Sequence, residues 1–460
     1  MAETKKNELI RDLTSGSVPG TLLRFAMPLF LSGLLQTVYN MVDMMVVGRF
    51  VGSDGLAAVS IGGDLLMMMT FIAMGLSNAG QITISRFIGE ERYDRVGKMV
   101  GTLFTLLIAA ALVMMVLVFG LHQPILRWMN TPQTSWKMTR DYVVTCAAGL
   151  VFIYGYNLVS AILRGMGDSR HPFIFIAIAS VINIILDLVF VASLGMGAFG
   201  AALGTVIGQA VSFIFALRLL YKNRAEIRFD FKPHSFRIYG EAFRPLMSLG
   251  IPMVIQSAAV HFSMLFVNSY VNSYGVEAVA VTGVARKLES VINIVSQAVS
   301  SAGGAMIAQA LGRRKVERVP KVVFTAFFVV LVPAVVMALL TIFKPEWLFG
   351  LFTTDKAVLT LALTYIPVAL IQYAGASLRP ANFALINGSS NSTLNLMVAI
   401  LDGIICRIGF ALLLGVYLNW GIKGFWYGNA FAGLMPFVIG SIYLVSGRWK
   451  LRVSPESKEA

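Results

Sequence analysis

Twelve long apolar stretches begin at about Leu22, Leu56, Gly101, Tyr142, Phe173, Ala198, Pro245, Val276, Val322, Thr360, Leu394 and Gly421. Each is near the roughly 20 residues that a helix needs to cross hydrocarbon. No other feature constrains the chain more, because a segment in lipid must satisfy its own backbone hydrogen bonds, and only helices and closed barrels do so. Stretches of this length predict helices, not barrel strands. The charged fraction agrees: 13%, about half that of a soluble domain. A soluble globular fold is excluded.

The spans fall into two similar sets. Gly80 to Lys98 (GQITISRFIGEERYDRVGK) reappears as Gly303 to Lys321 (GGAMIAQALGRRKVERVPK), with Gly89 meeting Gly312, Asp94 Glu317, Arg95 Arg318 and Lys98 Lys321. Pro28 answers Pro252, Gly167 answers Gly388, and Gly197, Gly200 and Gly204 answer Gly421, Gly424 and Gly428. The period is about half the chain, far beyond that of a solenoid repeat. Six spans per copy is an even number, so both copies enter the bilayer in the same orientation. The predicted fold is therefore all-α, with two parallel six-helix lobes related by a pseudo-twofold axis along the membrane normal. The expected layout is a cytoplasmic tail at 1–21, a first lobe at 22–221, a cytoplasmic linker at 222–244, a second lobe at 245–446 and a cytoplasmic tail at 447–460.

Short loops rich in Lys and Arg stay in the cytoplasm. With the N-terminus inside, 26 basic residues fall on that side and seven on the other. Both termini are thus expected to be cytoplasmic. The formal charge of +14 reads as topology signal and contact with anionic lipid headgroups, not as a nucleic-acid surface. Cys146 and Cys406 lie within spans, so no structural disulfide is expected. The first apolar stretch is too long for a signal-peptide core and is read as a retained span.

An ionisable group inside a span costs several kcal/mol unless it faces a wet cavity or a partner, so each is a functional candidate. The first copy offers Asp43, Asp64 and Asp187. In span one, Gln36, Tyr39, Asn40 and Asp43 recur at i, i+3, i+4 and i+7, one face of a helix. In span five, Asn183 and Asp187 are i and i+4. Counted from the span ends, Asp43, Asp187 and Thr205 lie at similar depth in the outward-facing half. Two carboxylates with an amide and a hydroxyl form an oxygen-rich pocket suited to a hard cation or a shared proton. The same groups could instead serve only as interhelical hydrogen bonds.

The second copy does not repeat these acids: Asp43 corresponds to Val267, and Asp187 falls between Ile408 and Ala411. It holds His261, Arg286, Lys287, Glu289, Arg379, Asp402 and Arg407 instead, with Arg286 and Glu289 spaced to pair locally. Met67 to Met69 offer an adaptable greasy surface or ordinary packing. Pro28 and Pro252, each near the start of the span that opens its copy, predict bends.

The opening segment LTSGSVPGTLLRFAMPLFLSGLLQTVYNMVDMMVVGRFVG, followed by LRGMGDS and INIILDLVF, resembles the multidrug and toxic compound extrusion (MATE) family from about Thr14 to Lys450. The resemblance implies twelve helices in a V of two six-helix lobes. It also implies export of bulky, often cationic drugs in exchange for Na⁺ or H⁺, with no cofactor. Prokaryotic DinF-like members are the most similar, since their first lobe carries an Asp in span one, Asn and Asp in span five and Thr in span six, matching Asp43, Asn183, Asp187 and Thr205 here. These four would be the ligands if the ion is Na⁺, with Asn157 assisting from nearer the cytoplasmic side. A cation from outside would bind there, bend span one near Pro28 and evict substrate held against Gln36, Tyr39 and Asn40. Members coupled through the second lobe carry acids in spans seven and ten, where this chain has Gln256 in span seven and no acid in span ten. The resemblance further implies a monomer in a bacterial plasma membrane, with drug-like small molecules and lipids as partners and no nucleic acid.

Three rival readings remain. GEERYDRVGK resembles the loop between spans two and three of major facilitator transporters, although its Asp comes one residue late after Gly89. A flippase for a lipid-linked sugar would need a cationic cavity, which Arg286, Lys287, Arg379 and Arg407 would supply only by converging. An enzyme has no support from any metal, nucleophile or phosphate motif.

Overall fold

Lipid leaves helices as the solution for spans of this length, and the computed structural model, which describes residues 9–453, contains helices and no strand among the described residues. In chain order the first copy forms α1 (Val18–Phe50), α2 (Ser53–Gly89), α3 (Tyr93–Trp128), α4 (Trp136–Ala148), α5 (Leu150–Gly165), α6 (Arg170–Asp187) and α7 (Gly197–Lys222). The second forms α8 (Gly240–Asn272), α9 (Val276–Gly312), α10 (Arg318–Phe343), the short α11 (Pro345–Gly350), α12 (Lys356–Gly388), α13 (Ser392–Ile400), α14 (Arg407–Leu412), α15 (Ile422–Ala432) and α16 (Met435–Val445). Among the described residues eleven helical segments are long and apolar enough to cross a membrane, and α4 with α5, bent by 49°, completes a twelfth. Several helices begin before the apolar stretches because their polar first turns extend beyond the hydrocarbon.

The duplication is visible in the backbone. Helices α1 and α8 each have 33 residues, and α2 and α9 each have 37. The turn after α2 places Glu91 at φ 59°, and the turn after α9 places Arg314 at φ 61°. Gly197 (φ 60°) opens the last span of the first copy, and Gly421 (φ 59°) immediately precedes that of the second. That left-handed conformation costs glycine little and other residues more.

The chain divides into two compact units. Unit 1 comprises the segment ending at Asp12 with Leu31–Ile88 and Arg92–Gly250; unit 2 comprises Leu13–Phe30, Gly89–Glu91 and the chain from Ile251. The boundary on α1 therefore falls between Phe30 and Leu31, just past Pro28. In unit 1, α6 packs along α7, and Val46, Val47, Val59, Tyr142, Cys146 and Ala202 share a buried cluster. The linker lies across α3, where a methyl on Gly97 would come 2.1 Å from the Arg228 carbonyl oxygen. In unit 2, α9 and α12 form the main helix pair, and Leu22, Phe25 and Ala26 from the start of α1 join their apolar cluster.

The repeated basic motif is used differently in the two units. In unit 1, Lys98 pairs with Glu241 at 3.1 Å. In unit 2, Lys315 and Arg318 donate to the Thr14 and Gly16 carbonyls at 3.1 and 3.0 Å.

One loop of unit 1 gives a pH prediction. Asp168, in the turn between α5 and α6, has a buried side chain bonded to the Arg170 N–H at 3.0 Å and to the His171 ring, with Arg11 at 3.9 Å. Burial alone would raise this carboxyl, but the His171 bond and charge, Arg11 and the Arg170 N–H together hold it below its ordinary value. A lowered folded-state value means that the stabilisation is full above the ordinary carboxylate range, declines as pH falls from that range toward the lowered value, and is gone below it. Asp168→Asn should cost about 1–2 kcal/mol at neutral pH. Thermal unfolding at stepped pH should show that difference intact above the ordinary carboxylate range, shrinking as pH falls through it and closed below the lowered value.

Candidate cation and drug site

The face predicted on α1 is present. Tyr39 and Asp43 are buried while Gln36 and Asn40 are exposed, and Gln36 Nε2 donates to the Tyr39 hydroxyl at 3.5 Å. Asp187, fully buried, ends α6 and is followed at once by a π-helical turn, Leu188–Ser193. Such turns break the regular hydrogen-bond ladder and recur at functional positions. The carboxyl groups of Asp43 and Asp187 come within hydrogen-bonding reach of each other. Asn183 Nδ2 donates to Thr205 Oγ1 across α6 and α7 at 3.3 Å.

Gly204 makes this close approach of α7 possible. A methyl there would sit 2.7 Å from Asp187 Oδ1 and 3.5 Å from Asn183 Nδ2, so any larger residue would displace the acid. The structure thus brings Asp43, Asp187, Asn183 and Thr205 together. Asn157 is placed differently: its amide donates to the Ile153 carbonyl one turn back on α5, at 2.8 Å. Tyr39 lies within the field of both acids and of Tyr156, and Tyr142 and Cys146 lie within that of Asp43.

The acceptors outnumber the donors. Asp43 Oδ1, Asn183 Oδ1, both Asp187 oxygens and Gln209 Oε1 are buried without a hydrogen-bond donor. Carboxylates only accept, so two facing each other satisfy neither. Buried unsatisfied acceptors are costly, and a shared proton or a bound cation removes that cost. Among the described residues no group of three or more His, Cys, Asp or Glu could hold a metal ion. Two carboxylates with amide and hydroxyl oxygens suit a hard monovalent ion or a proton better than a transition metal.

Spacing on α1 and α6 points to the acids, but a second polar stripe went unread. Thr205, Gln209 and Ser212 on α7 recur at i, i+4 and i+7, and the Gln209 and Ser212 oxygens are also buried without partners. The rule that finds the α1 face would have found it. Asp64 is exposed, as are Met67 and Met68, while Met69 is buried.

Among the span charges of unit 2, Glu289 with Arg379 and Asp402 with Arg407 form two separate pairs, while Arg286 and Lys287 are exposed. Glu289 faces Arg379 at 4.0 Å and Asn293 at 3.3 Å, where local pairing with Arg286 was expected. The reason is geometric: α12 carries Arg379 against α9, and its guanidinium also bonds Asn293 at 3.1 Å. Arg407 pairs with Asp402 at 2.8 Å. Both arginines are thereby neutralised locally, unlike the cations of a pyrophosphate cavity.

The family model MatE matches the chain twice, at residues 28–189 and 252–413. The probable multidrug resistance protein YoeA of Bacillus subtilis is 28% identical, covering 97% of this chain and 98% of its own length. The probable multidrug resistance protein YpnP of the same organism is 29% identical over 67% of this chain and 68% of its own. The fold is that of a solved multidrug resistance MATE family transporter of the MOP superfamily in an outward-facing conformation. That structure has a TM-score of 0.89 and 21% identity, covering 98% of this chain and 100% of the other.

Proposed function

The chain belongs to the MatE family of membrane transporters, and on that premise we propose that it is a secondary active exporter of bulky, often cationic organic compounds. The driving ion is H⁺ or Na⁺, exchanged at Asp43 and Asp187 with Asn183 and Thr205 as neutral ligands. The carrying observation is the cluster of buried oxygens without donors in unit 1. Such a site is poorly satisfied when empty and gains a partner when a cation or proton arrives. Family membership sets aside the enzyme and major facilitator readings, and the separate pairing of Arg379 and Arg407 argues against a flippase cavity.

The cation neutralises the acid pair and draws α1 toward α6, and the drug surface on the same face of α1, Gln36, Tyr39 and Asn40, changes with it. Coupling needs only that cation and drug favour different arrangements of this helix. Asn157 lies one element away and tunes the approach. The protein works as a monomer in a bacterial plasma membrane, with both termini cytoplasmic and lipids as its surroundings. Efflux of a cationic dye from proteoliposomes, under independently imposed Na⁺ and proton gradients, tests this reading. Accumulation against the dye gradient is expected with one ion gradient, and no dependence on either would refute exchange.

Pro28 has no N–H for the carbonyl one turn earlier, which leaves α1 free to bend there. Pro28→Ala restores that bond and stiffens the helix. Export should slow by about tenfold while cation affinity changes by less than about twofold, as read by dye efflux and by cation titration in detergent.

A further inference from the structure

Unit 2 contains a buried ion pair that coupling through Asp43 and Asp187 leaves unused. Arg407 on α14 and Asp402 on the preceding π-helical turn, Leu401–Cys406, have side chains 2% exposed and lie 2.8 Å apart. Arg407 also donates to Asn429 Oδ1 of α15 at 2.5 Å. Its position matters more than the bond. A methyl on Gly204 would meet Asp187 and one on Gly428 would meet Ala411; one on Gly200 would meet Phe190 and one on Gly424 would meet Leu414. Each residue of the second pair lies 224 positions beyond its counterpart, the same interval that separates 28–189 from 252–413.

On that register Arg407 stands where unit 1 has Asn183, and Asn429 stands where it has Thr205. The bond between the two helices is kept: Asn183 to Thr205 at 3.3 Å, Arg407 to Asn429 at 2.5 Å. The acids are not kept, since Asp187 becomes Ala411 and Asp43 becomes Val267. The exchangeable-ion ligands are gone and a guanidinium has taken their level.

We propose that unit 2 retains a cation site at the position equivalent to the coupling site, filled permanently by the chain's own Arg407 with Asp402 as its carboxylate. Only unit 1 then exchanges cations. The comparison rests on Asp43 and Asp187 being the coupling pair. A guanidinium is always charged and, being tethered, never leaves, so neither pH nor salt empties the site. Stability alone is a weak reason for such a pair, because desolvating both charges offsets much of their attraction. Arg407 Nε is, moreover, buried without an acceptor. Asp402 also sits on a π-helical turn where the first copy has unbroken α-helix, 177–182 within α6, and turns of this kind mark functional positions.

The test has two arms, both in the full-length protein. In the first, Asp43→Asn/Asp187→Asn silences unit 1, and thermal unfolding in detergent is followed as guanidinium or sodium chloride replaces choline chloride at fixed pH and ionic strength. With Arg407 present, the midpoint should move by less than about 1 °C. In Arg407→Ala on this background, about 50 mM guanidinium should raise it by several degrees, and adding Asp402→Asn should abolish the rise. In the second arm, Asn183→Arg places the guanidinium in unit 1 of an otherwise unaltered chain. It should fold and lose at least about tenfold of the cation's effect on drug affinity.

A merely structural pair predicts equal loss of stability in all three salts for Arg407→Ala and an unchanged cation response for Asn183→Arg; either result overturns the proposal. Should Arg407→Ala fail to fold, the Asn183→Arg arm decides. Export by the single Asp43→Asn and Asp187→Asn proteins is a separate measurement, so failure here and failure of the coupling pair remain distinguishable.

Discussion

Asp43→Asn and Asp187→Asn should each reduce gradient-driven dye export by about tenfold to a hundredfold, toward the level of protein-free vesicles, while leaving the fold as stable as before or more stable. Two opposed consequences of one contact set these signs. The carboxyl groups face each other with three of their four oxygens buried and without donors. An amide in either place supplies an N–H to the remaining carboxylate and removes one of two like charges, which should add about 1 kcal/mol of stability. The same change lowers the charge that holds a cation and removes one protonatable group. Loss of export together with a higher unfolding temperature separates a ligand role from a packing role. A purely structural pair would lose stability and export together.

Equivalent glycines should fail in different ways. A methyl on Gly428 would lie 2.5 Å from the Ala411 backbone nitrogen and 2.6 Å from its Cα. Backbone cannot swing aside, so Gly428→Ala must push α15 off α14, at about 2–3 kcal/mol. A methyl on Gly204 would lie 2.7 Å from Asp187 Oδ1, the end of a side chain that can rotate. Gly204→Ala should therefore cost less than about 1 kcal/mol but turn Asp187 away from Asp43, so that export falls by about tenfold or more. Thermal unfolding and dye efflux measured on both variants should give opposite rankings. Equal destabilisation of the two would mean that the acid has no room to move.

The parts of the molecule governed by periodicity were legible in the sequence. Twelve spans, the duplicated turns and the α1 face of Gln36, Tyr39, Asn40 and Asp43 follow from lipid and helical spacing. What depends on register between helices was not. Glu289 and Arg286 share one helix and invite local pairing, yet Arg379 arrives from α12 and takes the carboxylate. Asp402 and Arg407 are five apart, a spacing that does not face on an ideal α-helix; the π-helical turn between them brings the charges together. That α1 divides between the two units just past Pro28 is a packing result, because its first turns share an apolar cluster with unit 2.

The most direct test of one-sided coupling is the affinity of a cationic drug in detergent across a titration of the driving cation. The wild-type protein should bind the drug at least about tenfold more weakly when the cation is saturating, since linkage makes each ligand oppose the other. In Asp43→Asn/Asp187→Asn that dependence should be flat, with affinity near the cation-free value. An undiminished cation response in the double variant would contradict the account and place coupling outside these two acids.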